Sequence, residues 1–289
     1  MTFSYGVLFA VIALIGWGIG DFLIQRSTRT IGNYKSLFVI AVVGLFGIFP
    51  FVYSEIPNHT LGEYASLTLL SLIIFVYAIT LFEALRIGKI SVVEPIVAVE
   101  LPLTVGLGVF IAGESLTLIQ FLLFITTFFG IAFTVAKKFE HLHFHKKILE
   151  KGVAIAFLAS ILSAIVNFYI GTSAKEISPL MIVWFTHAML AFWCGLYILY
   201  KREYGNLFEA IKESPVSIIG QGVFDNIAWI AFAFAASIIP ISIATSISES
   251  YIVLAALLGY LVGREKLSWH QKTGAVIAIV SVVMLASTV

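Results

Sequence analysis

The chain has 289 residues, of which 60% are apolar and 11% are charged, and its mean hydropathy is +1.05. Soluble globular domains carry about 25% charged residues, so this composition excludes them and indicates an integral membrane protein. A net charge of +1, without a basic stripe interleaved with aromatic residues, argues against nucleic acid as a partner. The single cysteine, Cys194, excludes an intrachain disulfide and a cysteine-based zinc site.

The chain starts with an apolar stretch that is longer than a signal-peptide core and has no basic segment before it. We therefore expect a first membrane span and not a cleaved leader. A membrane-spanning helix needs about 20 mostly apolar residues. The sequence predicts an all-α membrane protein with ten such helices and short connections. The predicted spans are roughly residues 3–25, 36–53, 65–85, 91–112, 116–136, 152–171, 178–200, 216–236, 241–262 and 272–288.

The basic residues are distributed unevenly between the two sets of loops. The loops after the odd-numbered spans hold all of the lysines and arginines except Lys175. Cytoplasmic loops of membrane proteins are enriched in these residues. The bias predicts a multi-pass protein of the plasma membrane with basic loops in the cytoplasm and both termini outside.

A sequence repeat divides the chain into two halves of five spans each. A shift of 151 positions (241 minus 90) carries eight residues of segment 90–120 onto identical residues of segment 241–271. Because five is odd, the second half must enter the membrane upside down relative to the first, as in the inverted repeats of many transporters. The predicted units are repeat 1 over residues 1–137, a basic cytoplasmic linker over 138–151, and repeat 2 over 152–289.

Six acidic residues lie within or at the ends of predicted spans. An ionisable group at bilayer depth is costly unless it is paired or hydrated, so each one is a functional candidate. The acids nearest the midplane are Glu100, Asp225 and Glu249, and those nearer the cytoplasmic ends are Asp21, Glu83 and Glu94.

Span 4 combines two of these acids with two prolines. Glu94 and Glu100 are six residues apart, and both are candidates for one cavity wall. Pro95 and Pro102 each lack a backbone donor and leave a carbonyl unpaired one turn earlier. Carbonyls beside carboxylates suit a cation or a proton. The alternative for Glu94 is an interfacial position where a nearby basic residue neutralises it.

Span 8 has one polar face. Asp225 and Trp229 are four residues apart and fall on one stripe, with Asn226 beside it. We expect this face to line a cavity, and the alternative is a hydrogen-bond cluster that ties span 8 to a neighbouring helix. In span 9, Glu249 and two flanking serines form a similar inward-facing stripe next to Tyr251.

Glu94 is also a candidate for a gate or for proton coupling, and further candidates lie in four other spans. Glu83 precedes Arg86 by three residues, which favours an intrahelical ion pair over a gate. Asp21 fits a gate and an interfacial position equally well, and Asn167 is its counterpart in the second half. A mirrored pair at opposite mouths would serve an alternating gate. His187 fits a proton relay, although a hydrogen-bonded structural histidine is the favoured interpretation.

Three short motifs resemble one family. They are Gly16-Trp17-Gly18 in the first span and the acidic turns Gly113-Glu114-Ser115-Leu116 and Gly263-Arg264-Glu265-Lys266-Leu267, one after the fourth span of each half. Nearly the whole chain resembles the EamA-type branch of the drug/metabolite transporter superfamily. The resemblance implies two inverted five-helix repeats whose first, third and fourth helices surround a central cavity. Family members move amino acids, nucleotide sugars, sugar phosphates, amines and other metabolites, so the resemblance names no cargo.

The sequence therefore predicts a secondary active transporter with an acidic binding site. Midplane acids without midplane lysines or arginines suit a cationic or zwitterionic metabolite, with protons as the candidate coupling ion. Four aromatic residues could hold an ammonium group by cation–π contact. They are Trp17, Tyr77, Trp229 and Tyr251.

Two other classes of function remain open at this point. A divalent-cation permease for an ion such as Mg²⁺ also suits carboxylates and free carbonyls. A non-transporting scaffold or intramembrane enzyme would leave the repeat and the buried acids unexplained. No enzyme motif and no phosphate-binding glycine loop is present, so we expect neither catalysis nor a cofactor. The expected partners are a small-molecule substrate and the lipid bilayer, and the chain acts as a monomer or a homodimer.

Overall fold

The computed structural model describes residues 4–87, 93, 96–135, 146–261 and 267–289, and every regular element in them is helical. The elements of the first part are α1 (Tyr5–Ile31), α2 (Asn33–Val52), a 3₁₀ turn (Ile56–Asn58), α3 (Leu61–Ile87), α4 (Glu100–Phe110) and α5 (Leu118–Val135). Those of the second part are α6 (Lys146–Ser173), α7 (Pro179–Lys201), α8 (Tyr204–Glu213), α9 (Pro215–Ile238), α10 (Ile241–Ser248), α11 (Tyr251–Leu261) and α12 (Trp269–Ala286).

Among the described residues, eight helices are long and apolar enough to cross a membrane. The chain is thus a multi-pass helical membrane protein. The prediction of ten continuous spans is confirmed only in part, because spans 4 and 9 differ from the other eight. The described part of span 4 contains the short helix α4, and span 9 is divided into α10 and α11.

The interruptions of spans 4 and 9 occupy equivalent positions. Span 4 forms a turn at Ala98–Val99, and the 151-residue shift carries this turn onto Glu249–Ser250, where span 9 is interrupted. In span 4 the cause is Pro102, which cannot donate a hydrogen bond to the carbonyl of Ala98. Span 9 has no proline there. Its serines instead donate to carbonyls one turn back, as Ser250 does to Ser246 at 3.0 Å, and such bonds tend to bend helices.

The helices pack in pairs that join the two halves of the chain. α1 lies against α9 and α3 lies against α6, while α2 packs on α7 and α5 packs on α12. The contact of α5 with α12 depends on small residues, because a Cβ on Gly130 would lie 2.6 Å from the backbone nitrogen of Ala278. Gln271 adds a hydrogen bond of 3.0 Å from its side-chain amide to the carbonyl of Thr134. This arrangement leaves the centre of the bundle to α1, α3, α4, α6, α9 and the interrupted span 9, with α2 and α7 also reaching it.

Candidate functional site

A cavity lies at the centre of the bundle, between α1, α2, α3, α4, α6, α7, α9 and the junction of α10 with α11. Its volume is about 70 Å³, which exceeds the roughly 10–15 Å³ that a single water molecule needs. The described residues that line the cavity include four acids and no lysine or arginine. The acids are Asp21, Glu100, Asp225 and Glu249.

Two of these acids share one amide donor. The side-chain nitrogen of Asn167 lies 3.0 Å from Oε1 of Glu100 and 3.3 Å from Oε1 of Glu249. The three residues are 1%, 3% and 4% exposed, respectively, and the two carboxyl groups lie within hydrogen-bonding reach of each other. Two adjacent carboxylates in a buried site repel each other unless a proton or a cation is shared between them. The arrangement therefore suits the uptake of positive charge.

The helix interruptions place both glutamates in this cavity. Glu100 is the first residue of α4 and follows the turn at Ala98–Val99, and Glu249 directly follows α10. At such interruptions the regular backbone hydrogen-bond pattern is broken, which is tolerated at membrane depth only where the backbone is buried in protein or lines a cavity. Each interruption thus carries one glutamate, and the two glutamates lie side by side in the same site.

An aromatic cluster forms another wall. The ring of Trp17 lies 4.9 Å from that of Trp229 in an edge-to-face arrangement and 6.0 Å from that of Tyr251. Asp21 is within hydrogen-bonding reach of the Tyr251 hydroxyl, and Asp225 is within reach of Trp229. Each of these acids therefore lies next to an aromatic ring. This combination can surround an ammonium group with negative charge and aromatic faces.

The two acidic walls correspond to each other through the sequence repeat. The contact of Asn167 with Glu100 joins α6 to α4, and the contact of Asp21 with Tyr251 joins α1 to α11. The 151-residue shift relates Glu100 to Tyr251, and Asp21 is the counterpart of Asn167. In one contact the acid is on the broken span (Glu100), and in the other it is on the first helix (Asp21). Each contact therefore pairs one acid with one neutral partner.

Comparison with known proteins identifies the family. A model that describes EamA-like transporters matches residues 4–136 and, a second time, residues 150–287. The chain belongs to the EamA-like transporter family. One solved structure, titled only as the crystal structure of a protein, superposes on 99% of this chain and 99% of its own length with a TM-score of 0.77 at 13% identity. No curated protein gave a significant match.

In this EamA-like chain, the cavity brings together most of the residues predicted to bind substrate. The residues that line it are Trp17, Tyr77, Glu100, Asp225, Trp229, Glu249 and Tyr251. Asn226 is placed differently. Its side-chain nitrogen donates to the carbonyl of Ile40 at 3.0 Å and to that of Gly222 at 2.7 Å, so it ties α9 to α2. This is the structural alternative that the sequence left open for span 8.

The gate candidates are not grouped at two mouths. Asp21 and Asn167 both line the central cavity. Glu83 lies outside the lining and accepts two hydrogen bonds of 2.7 Å from Arg86, the ion pair that their spacing favours. Glu94 lies outside the described residues. A gating or coupling role of these four positions stays a prediction.

Two further residues line the cavity, a serine that the sequence analysis does not identify and the histidine that it interprets as structural. Ser163 lies within hydrogen-bonding reach of Tyr77 and Glu100, and it precedes Asn167 by one helical turn, a spacing that could have indicated it. His187 lines the cavity while its Nδ1 contacts the carbonyl of Val183 at 2.7 Å. The hydrogen bond fits the structural role that the sequence favours for His187, and the ring borders the cavity as well.

Proposed function

We propose that this EamA-like protein is a secondary active transporter of a small cationic or zwitterionic metabolite. The observation that carries the proposal is the charge of the central cavity. Four acids line it, and no described lining residue is a lysine or an arginine. An anionic cargo would meet repulsion from every charged group in this lining. An ammonium group would gain charge-assisted contacts with the acids.

The aromatic wall supports an amine in particular. Trp17, Trp229 and Tyr251 are in mutual contact through Trp17 and stand beside Asp21 and Asp225. A cation over an aromatic face gains about 0.5–2 kcal/mol, with the larger value in desolvated sites. Bare inorganic cations are strongly hydrated and gain less from such a wall. An amino acid, an amine or a related metabolite is therefore the cargo class that the lining favours.

The two halves supply a mechanism for movement across the membrane. Two inverted repeats can each adopt the conformation of the other, which exchanges an inward-open shape for an outward-open one around a fixed site. The pairing of α1 with α9 and of α6 with α3 supports this proposal, because each pair joins the first helix of one half to the third spanning helix of the other. The cavity between them is the fixed site.

Protons are the proposed coupling ion. Glu100 and Glu249 share the amide of Asn167, and an ammonium group that arrives between them can replace a shared proton. Cargo and proton would then compete for one place, which makes the carrier an antiporter. Transport that ignores the proton gradient and is unchanged by Glu100→Gln and Glu249→Gln would contradict this coupling.

A divalent-cation permease is the second candidate. Mg²⁺ prefers several oxygen ligands in octahedral geometry. Among the described residues, no three His, Cys, Asp or Glu side chains are grouped so that they could hold a metal ion. The described part of the chain thus offers this alternative no ligand set, and the organic cargo is favoured.

A ligand screen followed by transport measurement tests the proposal. The purified protein is heated with amines, amino acids, nucleosides, sugar phosphates and divalent cations, and the unfolding temperature is recorded. We expect stabilisation by an amine or an amino acid, loss of that effect in Glu249→Gln, and its retention in Glu213→Gln, which changes an exposed acid in α8. Uptake of the same compound into proteoliposomes must follow. Stabilisation by sugar phosphates alone would refute the acidic binding site.

A further inference from the structure

The turn after α4 is attached to the other half of the protein by one carboxylate. Oε1 of Glu114 accepts a hydrogen bond of 2.5 Å from the backbone nitrogen of Ile241, and Oε2 accepts one of 2.9 Å from that of Ser242. The hydroxyl of Ser242 donates to Oε2 as well, at 2.6 Å. The Glu114 side chain is only 6% exposed. A residue of the first repeat thus caps the first turn of α10 in the second repeat.

The chemistry of this contact is favourable on several grounds. The first backbone N–H groups of a helix have no partner within the helix, and the helix dipole favours negative charge there. Glu114 supplies acceptors for two of these groups on α10. Nζ of Lys175, in the turn that follows α6, lies 3.9 Å from Oε1 of the same carboxylate. Lys175 is also the one basic residue that the sequence places on the less basic side of the membrane.

Glycines from two helices hold the start of α10 at close range. A Cβ on Gly108 of α4 would lie 2.6 Å from the hydroxyl of Ser242 and 2.7 Å from Oε2 of Glu114. A Cβ on Gly171 of α6 would lie 2.6 Å from the side chain of Ile241. Larger residues at either position would push α10 away. By contrast, Gly106 lies two residues earlier on α4, and a Cβ there would meet open space.

α10 connects this contact to the cavity. All eight residues of α10 are buried, and a helix of this length measures about 12 Å. Glu114 holds the first residues of α10, and Glu249, which lines the cavity, directly follows its last residue. The short helix therefore fills the end of the bundle between the turn after α4 and the cavity. Its position determines that of Glu249.

We infer that Glu114 is a positioning residue that holds α10 in place, keeps this end of the cavity closed and sets the position of Glu249. We call its contact with Ile241 and Ser242 the clasp. The inference rests on the proposed function, because closure has a purpose only in a carrier. Opening of this end requires that the clasp be released, since α4 and α10 belong to different halves. Weakening the clasp shifts the population toward the form that is open at this end.

Cysteine accessibility tests the clasp without any cargo. The buried Cys194 is first changed by Cys194→Ala so that it cannot react. Thr186→Cys then places a single reactive thiol on the cavity wall as the reporter. A membrane-impermeant maleimide is added to either side of vesicles that contain the protein. A parallel Lys175→Cys variant identifies the clasp side, because Lys175 is 45% exposed there.

We expect slow labelling of the reporter from the clasp side and a rise of about tenfold or more in Glu114→Gln, the shift that loss of a charge-assisted hydrogen bond produces in a two-state equilibrium. Ser242→Ala removes one of the three contacts and should give a smaller rise in the same direction. Glu176→Gln changes an exposed acid at the same end and should have no effect. Gly108→Ala should act like Glu114→Gln, with Gly106→Ala as its control.

Unchanged labelling in Glu114→Gln, Ser242→Ala and Gly108→Ala would overturn the inference, as would equal rises from both sides, which indicate general loosening. The milder Ser242→Ala decides the matter if Glu114→Gln fails to fold. Because labelling requires no cargo, a failed clasp leaves the proposed function to its own test. Conversely, if the clasp variants change labelling as expected but the protein moves no amine, the proposed cargo would be refuted and the role of the clasp in closure would stand.

Discussion

The shared amide of Asn167 allows a sharp test of the binding site. Asn167→Leu keeps the approximate volume of the side chain and removes the donor that contacts Glu100 at 3.0 Å and Glu249 at 3.3 Å. A hydrogen bond to a charged group contributes about 1.5–3 kcal/mol, and the longer bond contributes less, so we expect a loss of about 2–4 kcal/mol in unfolding free energy. For a chain of 289 residues, that loss lowers the unfolding temperature by roughly 3–7 °C.

A double-mutant cycle identifies the origin of this loss. If Asn167 stabilises the two acids, Glu249→Gln in the Asn167→Leu background should restore part of the stability, because it removes one of the two buried carboxyl groups that are left without the amide. Asn226→Leu is the matched control, since Asn226 also donates two hydrogen bonds but lies outside the cavity lining. It should reduce stability and leave stabilisation by cargo intact. Neutral stability of Asn167→Leu, or strictly additive effects in the cycle, would refute this reasoning.

Three further predictions concern packing, the aromatic wall and the surface. Gly130→Ala places a Cβ 2.6 Å from the backbone of Ala278 and should lower the unfolding free energy by about 1–3 kcal/mol in chemical denaturation, whereas Gly106→Ala, which meets open space, should not. Trp17→Ala should lower the unfolding free energy by about 3–5 kcal/mol. It should also weaken amine binding, measured by calorimetry, at least as strongly as Trp17→Phe does. Equal amine binding by both variants and the wild type would exclude a binding role for the aromatic wall. Arg86→Met breaks an ion pair whose arginine is 53% exposed, so thermal denaturation should show a loss of unfolding free energy below about 1 kcal/mol. A change in transport rate larger than this loss can explain would support a gating role for this end of α3.

The class of protein and its family could be predicted from the sequence because hydropathy, charge placement and repeated turns are local properties. The interruption of span 4 could be predicted from Pro102, because its missing backbone N–H donor is a local property as well. The interruption at Glu249–Ser250 is not, since serines are common in intact helices and only their bonds to earlier carbonyls show the bend. Periodicity alone likewise could not separate Asp225, which reaches the cavity, from its neighbour Asn226, which ties α9 to α2.

Glu114 illustrates the same limit from another direction. The acidic turn was evident as a family motif, but its partner lies 127 residues further along the chain. Contacts between distant segments depend on the packing of all the helices between them. Sequence periodicity describes the faces of single helices and carries no information about which end of one helix meets which end of another. The role of the motif depends on where Ile241 and Ser242 lie in the folded chain, which the sequence does not predict.

The short helix α10 also bears on how the chain enters the bilayer. At about 12 Å it covers less than half of a hydrocarbon core of about 30 Å, and half of its eight residues are serine or threonine. Such a segment gains little from lipid by itself. Its neighbours include α1 and α4, which are synthesised earlier. Span 9 should therefore take up its final position only after the first repeat has folded and can pack against it. A second repeat expressed alone should leave this segment outside the membrane.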